Sequence, residues 1–97
     1  MPKAYTVVTY RSISDMNALA AYAEIAGPAI RGQGGRFIVR GMPVKTFESG
    51  VMERVVVVEF DSVEQAVTAF ESPAYAKALD RLGTAAVRDI RIVEGAE

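Results

Sequence analysis

Residues 54–60 read Arg-Val-Val-Val-Val-Glu-Phe, with four consecutive valines at positions 55 to 58. A β-strand sends successive side chains to opposite faces, so this segment is apolar on both of them. Val56, Val58 and Phe60 form the longer apolar set and are expected to face a helical layer. Val55, Val57 and Glu59 then face away from it. The short segment 36–40 (RFIVR) alternates in the same manner. Phe37 and Val39 are expected toward the helices, with Arg36, Ile38 and Arg40 on the other face. Opposed residues of an antiparallel hairpin keep a constant index sum. Pairing Arg36 with Glu59 therefore pairs Ile38 with Val57 and Arg40 with Val55.

The remaining elements follow from period and punctuation. Residues 4–10 (AYTVVTY) are rich in Val, Thr and Tyr and predict a strand. Met16, Leu19, Ala20, Ala23 and Ile25 recur at roughly helical spacing in an alanine-rich stretch. Ser12 with Asp15, or Ser14, is the expected cap of this helix. Gly27-Pro28 is expected to end or kink it. Ser62 with Gln65 forms a capping box ahead of Val63, Ala66, Val67 and Phe70, which lie at i, i+3, i+4 and i+7. Ser72-Pro73 restarts a helix with Ala76, Leu79 and Leu82 on its apolar side, and Gly83 stops it. Residues 88–93 (RDIRIV) alternate as a final strand.

The order is strand, helix, strand, strand, helix, strand. It predicts an α+β, ferredoxin-like βαββαβ domain: a four-stranded antiparallel sheet with two helical segments on one face. Two such segments cover one side of the sheet only. Each exposed Val or Ile forgoes up to ~1.5–3 kcal/mol of burial. Several of them approach the whole ~5–15 kcal/mol margin of a small domain. A second copy of the chain, packed sheet face to sheet face, is the expected cover. The rival is a monomer whose helix or tail folds over the sheet.

Composition narrows the chemistry more than the fold. The chain has 97 residues and is read as one domain over residues 1–97. Eleven basic and twelve acidic residues leave a net charge of -1, without the basic excess of a nucleic-acid binder. No apolar run is long enough for a membrane span. The first residues lack the apolar core of a signal peptide, and a cytoplasmic location is expected. There is no Cys and no His. Disulfides, thiolate chemistry, Ser–His triads and His- or Cys-based zinc sites are thereby excluded within one chain. No clustered acidic motif suggests a metal site, and no cofactor motif is present. Gly32, Gly34 and Gly35 precede a strand with no following Lys-Ser/Thr, so they are no phosphate cradle.

Candidate site residues are correspondingly few. Arg36 and Arg40, on one face by the alternation above, suit bidentate pairing with a ligand carboxylate or other anion. The competing role is a structural pair with Glu59 or with a partner subunit. Glu48 lies in the predicted 41–50 connection and is the candidate general base, since loops carry function disproportionately. A solvated loop charge is its competing role. Tyr75 offers a phenol that could orient a ligand, against packing at the core edge. Arg81 is a further candidate for ligand binding, against a role as a favourable charge at a helix C-terminus. Tyr5, Tyr10 and Tyr22 are read as core or interface residues, with lining of a sheet cavity as the other option.

The segment Gly34-Gly35-Arg36-Phe37-Ile38-Val39-Arg40-Gly41 resembles the Gly-Gly-Arg-Phe-Leu-Val-Arg-Gly signature of the DUF1330 family, a domain of unknown function. Glu48, Arg54-Val55-Val56, Glu59-Phe60, Ser72-Pro73-x-Tyr75, Arg81 and Asp89 continue the match in order. That resemblance implies a dimeric α+β barrel, in which two sheets close against each other. The chain departs from the family pattern in its loop, Glu48-Ser49-Gly50-Val51, which lacks the usual aromatic residue. It departs again at Ala69-Phe70, where an aromatic pair is usual. A smaller or more open pocket is the expected consequence. Relatives within the superfamily include cofactor-free monooxygenases and isomerases. By that analogy the chain is expected to be a homodimeric, cofactor-independent enzyme acting on a small organic acid or lactone-like compound, with Glu48 abstracting a proton and Arg36 or Arg40 stabilising the anion. Two other readings stay open: a non-catalytic ligand-binding or regulatory homodimer, and a structural assembly module.

Overall fold

A computed structural model describes residues 2–96. Its elements are β1 (Ala4–Ile13), α1 (Met16–Gly32), β2 (Arg36–Gly41), β3 (Val55–Phe60), α2 (Val63–Phe70), α3 (Pro73–Leu82) and β4 (Ala86–Glu94). The strands form one antiparallel sheet in the order β2-β3-β1-β4, the ferredoxin-like arrangement expected. The helices lie on one side, in two segments, the second broken between α2 and α3.

Local chemistry sets the boundaries. Asp15, rather than Ser12 or Ser14, caps α1: its Oδ1 accepts from the backbone N–H of Asn17 at 2.9 Å and Ala18 at 3.1 Å. Of the two outcomes expected at Gly27-Pro28, an end or a kink, the end does not occur; α1 continues through Pro28 to Gly32. Proline only removes the donor to the Glu24 carbonyl, and it sits on the exposed side while Ala26, Gly27 and Ile30 are buried. Packing on that face outweighs the lost bond. Ser62 and Ser72 cap α2 and α3 as their spacing predicts, each accepting from the backbone N–H three residues on. The Gln65 side chain accepts from the Asp61 N–H at 3.0 Å, one residue before the cap.

Gly34 and Gly35 bring the chain from α1 into β2. Gly34 has φ +90, in the left-handed region. A Cβ on Gly35 would stand 2.5 Å from Ile30 and 2.9 Å from both Phe60 and Val58, so glycine there lets β2 pass beneath the end of α1.

The core lies between the helices and the sheet. Val56, Val58 and Phe60 of β3 face it, as the alternation predicts, together with Ala4, Thr6, Val8 and Tyr10 of β1. An aromatic chain crosses it. Phe60 meets Phe70, Phe70 meets Tyr75 and Tyr75 meets Tyr22, with ring centroids 6.2, 4.7 and 6.0 Å apart, all edge to face.

The β2–β3 register holds where it starts and then slips. Arg36 pairs with Glu59 and Phe37 with Val58, as expected. Ile38 is then an extra, unpaired residue, and Val39 comes opposite Val57 and Arg40 opposite Val56. One inserted residue exchanges the faces of everything beyond it. Val39, expected toward the helices, is on the open face. Arg40, expected on the open face, is on the helical side.

The open face of the sheet carries Tyr5, Val7, Val39, Val57 and Val93, with Val39 and Val93 about half exposed. The molecule measures 38 × 34 × 16 Å, one sheet and one helical layer thick. Residues 42–54 form a long β2–β3 connection in which Met42, Val44, Phe47, Val51 and Met52 are exposed. No helix among the described residues is long and apolar enough to cross a membrane.

Candidate functional site

A cavity of about 70 Å³ opens between α1 and the helical side of the sheet. Val8, Tyr22, Ile30, Phe37, Val56 and Phe70 supply much of its wall. Two cations, Arg40 of β2 and Arg54 just before β3, line it as well, and among the described residues none of its lining is acidic. Arg40 lies opposite Val56, and Arg54 is two residues before Val56. The two arginines are thus diagonal neighbours on one face of an antiparallel pair, with Cβ atoms roughly 7 Å apart.

A third arginine extends the row. The Tyr10 N–H donates to the Arg54 carbonyl at 3.0 Å, and Tyr10 lies opposite Arg88 on β4. Arg54, Tyr10 and Arg88 therefore run side by side across the end of the sheet. The Arg88 guanidinium stands over the Tyr22 ring at 4.9 Å and the Tyr10 ring at 5.6 Å. Its Nη1 donates to the Tyr22 hydroxyl at 2.9 Å, and that hydroxyl lies 2.8 Å from the Tyr75 hydroxyl. Phe37 is flanked by Arg31 and Arg40, each 5.1 Å from its ring centroid. Among the described residues, none of Arg31, Arg40, Arg54 and Arg88 has a carboxylate within ion-pairing distance.

The electrostatics follow from burial. Desolvation pushes the Tyr22 hydroxyl well above the ordinary phenol value, with Tyr75 adding to the effect and Arg88 opposing it. Burial raises Tyr10 too, against the pull of Arg88 and Arg54. Both phenols are neutral hydrogen-bonding groups near neutral pH, and the arginines remain cations. The site can hold negative charge and offer hydroxyl donors. Among the described residues, no group of three or more acidic side chains is placed to hold a metal ion.

The residues proposed from sequence are dispersed. Arg36 is on the open face, its Nε donating to Glu59 at 2.9 Å and its Nη2 to Asp61 at 3.0 Å. Arg40 lines the cavity. Glu48 is exposed in the β2–β3 connection with φ 52, a left-handed conformation. Tyr75 is buried behind Tyr22. Arg81 is exposed in the last turn of α3. The structure does not gather Arg36, Glu48 and Arg81 at the cavity. Sequence reasoning passed over Arg54 and Arg88, although a signal was present. Arg54 shares strand parity with Val56, Val58 and Phe60, and Arg88 shares it with Ile90 and Ile92. An arginine in phase with the buried set points into the layer where a ligand would sit. A second, more open groove of about 400 Å³ lies between the β2–β3 connection and the open face, lined by Thr9, Arg11, Lys45, Phe47, Glu53 and Val55 among others.

The same fold occurs in several solved structures. A protein of unknown function from Rhodopseudomonas palustris superposes with a TM-score of 0.73 at 19% identity, covering 99% of this chain and 84% of its own. A dimeric protein of unknown function with a ferredoxin-like fold, from Bacteroides fragilis, gives 0.65 at 11% identity, covering 96% of each chain. SnoaB, a cofactor-independent oxygenase from Streptomyces nogalater, gives 0.63 at 11% identity over 100% of this chain and 96% of its own. At these identities the likeness is one of fold. No curated protein matches the sequence. The sequence model of DUF1330, a domain of unknown function, matches residues 3–96, and the chain belongs to that family.

Proposed function

We propose that this chain is a homodimer, closed open face to open face, in which each protomer takes a small organic acid or lactone-like compound into the cavity beneath α1 and acts on it without a bound cofactor. The observation that carries this reading is the cavity itself: an apolar chamber with two arginines, Arg40 and Arg54, that have no carboxylate partner among the described residues. Guanidinium groups so placed would stabilise negative charge developing on a substrate oxygen. Neutral Tyr10 and Tyr22 would supply further hydroxyl contacts. The fold shared with a cofactor-independent oxygenase supports such chemistry by analogy. Glu48 stays in this reading as the loop carboxylate whose contribution is tested separately, by Glu48→Gln.

One observation favours a second reading, ligand binding without turnover. Among the described residues the cavity lining contains no carboxylate, and the chain has no His or Cys to act as base or nucleophile.

A thermal-shift screen of small organic acids and lactones, followed by mass spectrometry on any hit, tests the proposal. Compounds that stabilise the protein should lose their effect in Ala23→Leu, which fills the cavity from an exposed position of α1. A hit recovered unchanged leaves the binding reading. Hits indifferent to Ala23→Leu would place the site elsewhere.

A further inference from the structure

We infer that the ligand of this cavity is an anion, an acid rather than a neutral lactone: a monocarboxylate whose charged group lies between Arg40 and Arg54 and whose apolar body enters the chamber. The inference rests on the proposed ligand-binding role and narrows it to one chemical class.

Three features converge on it. Arg40 and Arg54 line one small space from adjacent strands, in diagonal positions where two like charges repel unless an anion lies between them. The arginines on the opposite face of the sheet each have a carboxylate partner. Arg36 is bonded to Glu59 and Asp61, while Arg11 and Arg91 are paired with Asp89. Among the described residues, the open-face arginines thus have acidic partners, and none lies within ion-pairing distance of those on the helical side. A guanidinium fork also suits the two oxygens of a carboxylate.

The surroundings fix the rest of the ligand. Phe37, held between Arg31 and Arg40, presents a ring at the cavity wall, and Val8, Ile30 and Phe70 continue an apolar lining. A bare inorganic anion would leave that chamber unused. Arg88 is not among the cavity's lining residues and bonds Tyr22, so it holds the inner hydroxyls in place. The bulge at Ile38 makes the arrangement possible, because an unbroken register would put Arg40 on the other face.

Isothermal titration calorimetry on the full chain, with benzoate, benzamide and inorganic phosphate as probes, tests this. Benzoate should bind about tenfold or more tighter than benzamide, the effect of losing a hydrogen bond to a charged group. Arg40→Gln and Arg54→Gln should each weaken benzoate by a similar factor and leave benzamide unchanged. Arg40→Lys, which keeps the charge and loses the fork, should fall between. Lys77→Gln, the same change of charge on the exposed side of α3, should have no effect. Equal affinity for benzoate and benzamide would overturn the anion and leave the cavity reading standing. Phosphate binding as tightly as benzoate would overturn the role of the apolar body. Binding of neither aromatic probe would overturn both the inference and the proposed function beneath it.

Discussion

Arg36 and Glu59 lie opposite each other across β2 and β3, and the guanidinium Nε donates to the carboxylate over 2.9 Å. Arg36 also bonds Asp61, and the Tyr5 hydroxyl donates to Glu59 at 3.1 Å. Hydrogen bonding from Arg36 holds both carboxyls below their ordinary values, and Tyr5 adds to the effect on Glu59.

A pH dependence follows from those depressed values. Carboxylates with lowered folded-state pKa contribute stability that is present above their unfolded values, about 4. That contribution is lost as pH falls through the folded values. Arg36→Gln should therefore lower the melting temperature near neutral pH. The gap from the parent should close as the solution is acidified through the unfolded values and then through the lower folded ones, until both carboxyls are protonated in either state. The network is half exposed, so the effect at neutral pH should be modest and should shrink with added salt. Thermal melts across pH check this; a gap that widens in acid would contradict it.

Tyr22 sits between two polar groups, and its hydroxyl matters more than that of Tyr75. Tyr22→Phe removes both the acceptor for Arg88 Nη1 and the partner of the buried Tyr75 hydroxyl. Leaving a buried polar group unsatisfied costs about 1–3 kcal/mol. Tyr75→Phe removes one bond and leaves Tyr22 still engaged by Arg88, a loss of about 0.5–1.5 kcal/mol. In a domain of this size each kcal/mol is roughly 4–8 °C in melting temperature. Urea unfolding of both variants should rank Tyr22→Phe as the more damaging. The reverse order would mean that the hydroxyl chain does not run from Arg88 through Tyr22.

The contrast between Arg36 and Arg40 shows what the sequence makes legible. The alternation of β3 separates Val56, Val58 and Phe60 from Val55, Val57 and Glu59, and the matching faces of β2 suggest the pairing of Arg36 with Glu59 that the structure has. Serine followed three residues on by a backbone donor marks the starts of α2 and α3 equally well. The bulge leaves no such trace, since Ile38 is as good a strand residue in register as out of it. Its insertion depends on how β2 bends against β3, a tertiary matter, and it decides which side Arg40 joins. Pro28 fails as a helix stop for a related reason: Ile30 has a core to enter, and a local rule gives way to packing. Arg54 and Arg88 were readable by parity, but an arginine in an apolar phase gains meaning only when a cavity stands above it.

The open face leads to the remaining expectation. Val57 lies opposite Val7 on β1 and Val39 on β2, so it sits in the middle strands of the uncovered surface. A face of this kind, one layer from the core and rimmed by the Arg36–Glu59 and Arg91–Asp89 pairs, has the apolar centre and polar edge of a protein interface. In a two-fold dimer each residue near the axis meets its own counterpart, so Val57→Glu brings two carboxylates into one dry region. Breaking an interface with an unpaired buried charge costs roughly 3 kcal/mol or more, over a hundredfold in Kd. In the isolated protomer the same side chain would reach water at little cost. Light scattering after size exclusion should give the parent a mass of twice the 10.4 kDa chain and Val57→Glu a single chain mass, with unchanged far-ultraviolet circular dichroism. A parent that is monomeric at micromolar concentration would remove the dimer from the proposed function. A variant that stays dimeric would move the contact off the sheet, with the exposed Val44 and Phe47 of the β2–β3 connection as the next surface to mutate.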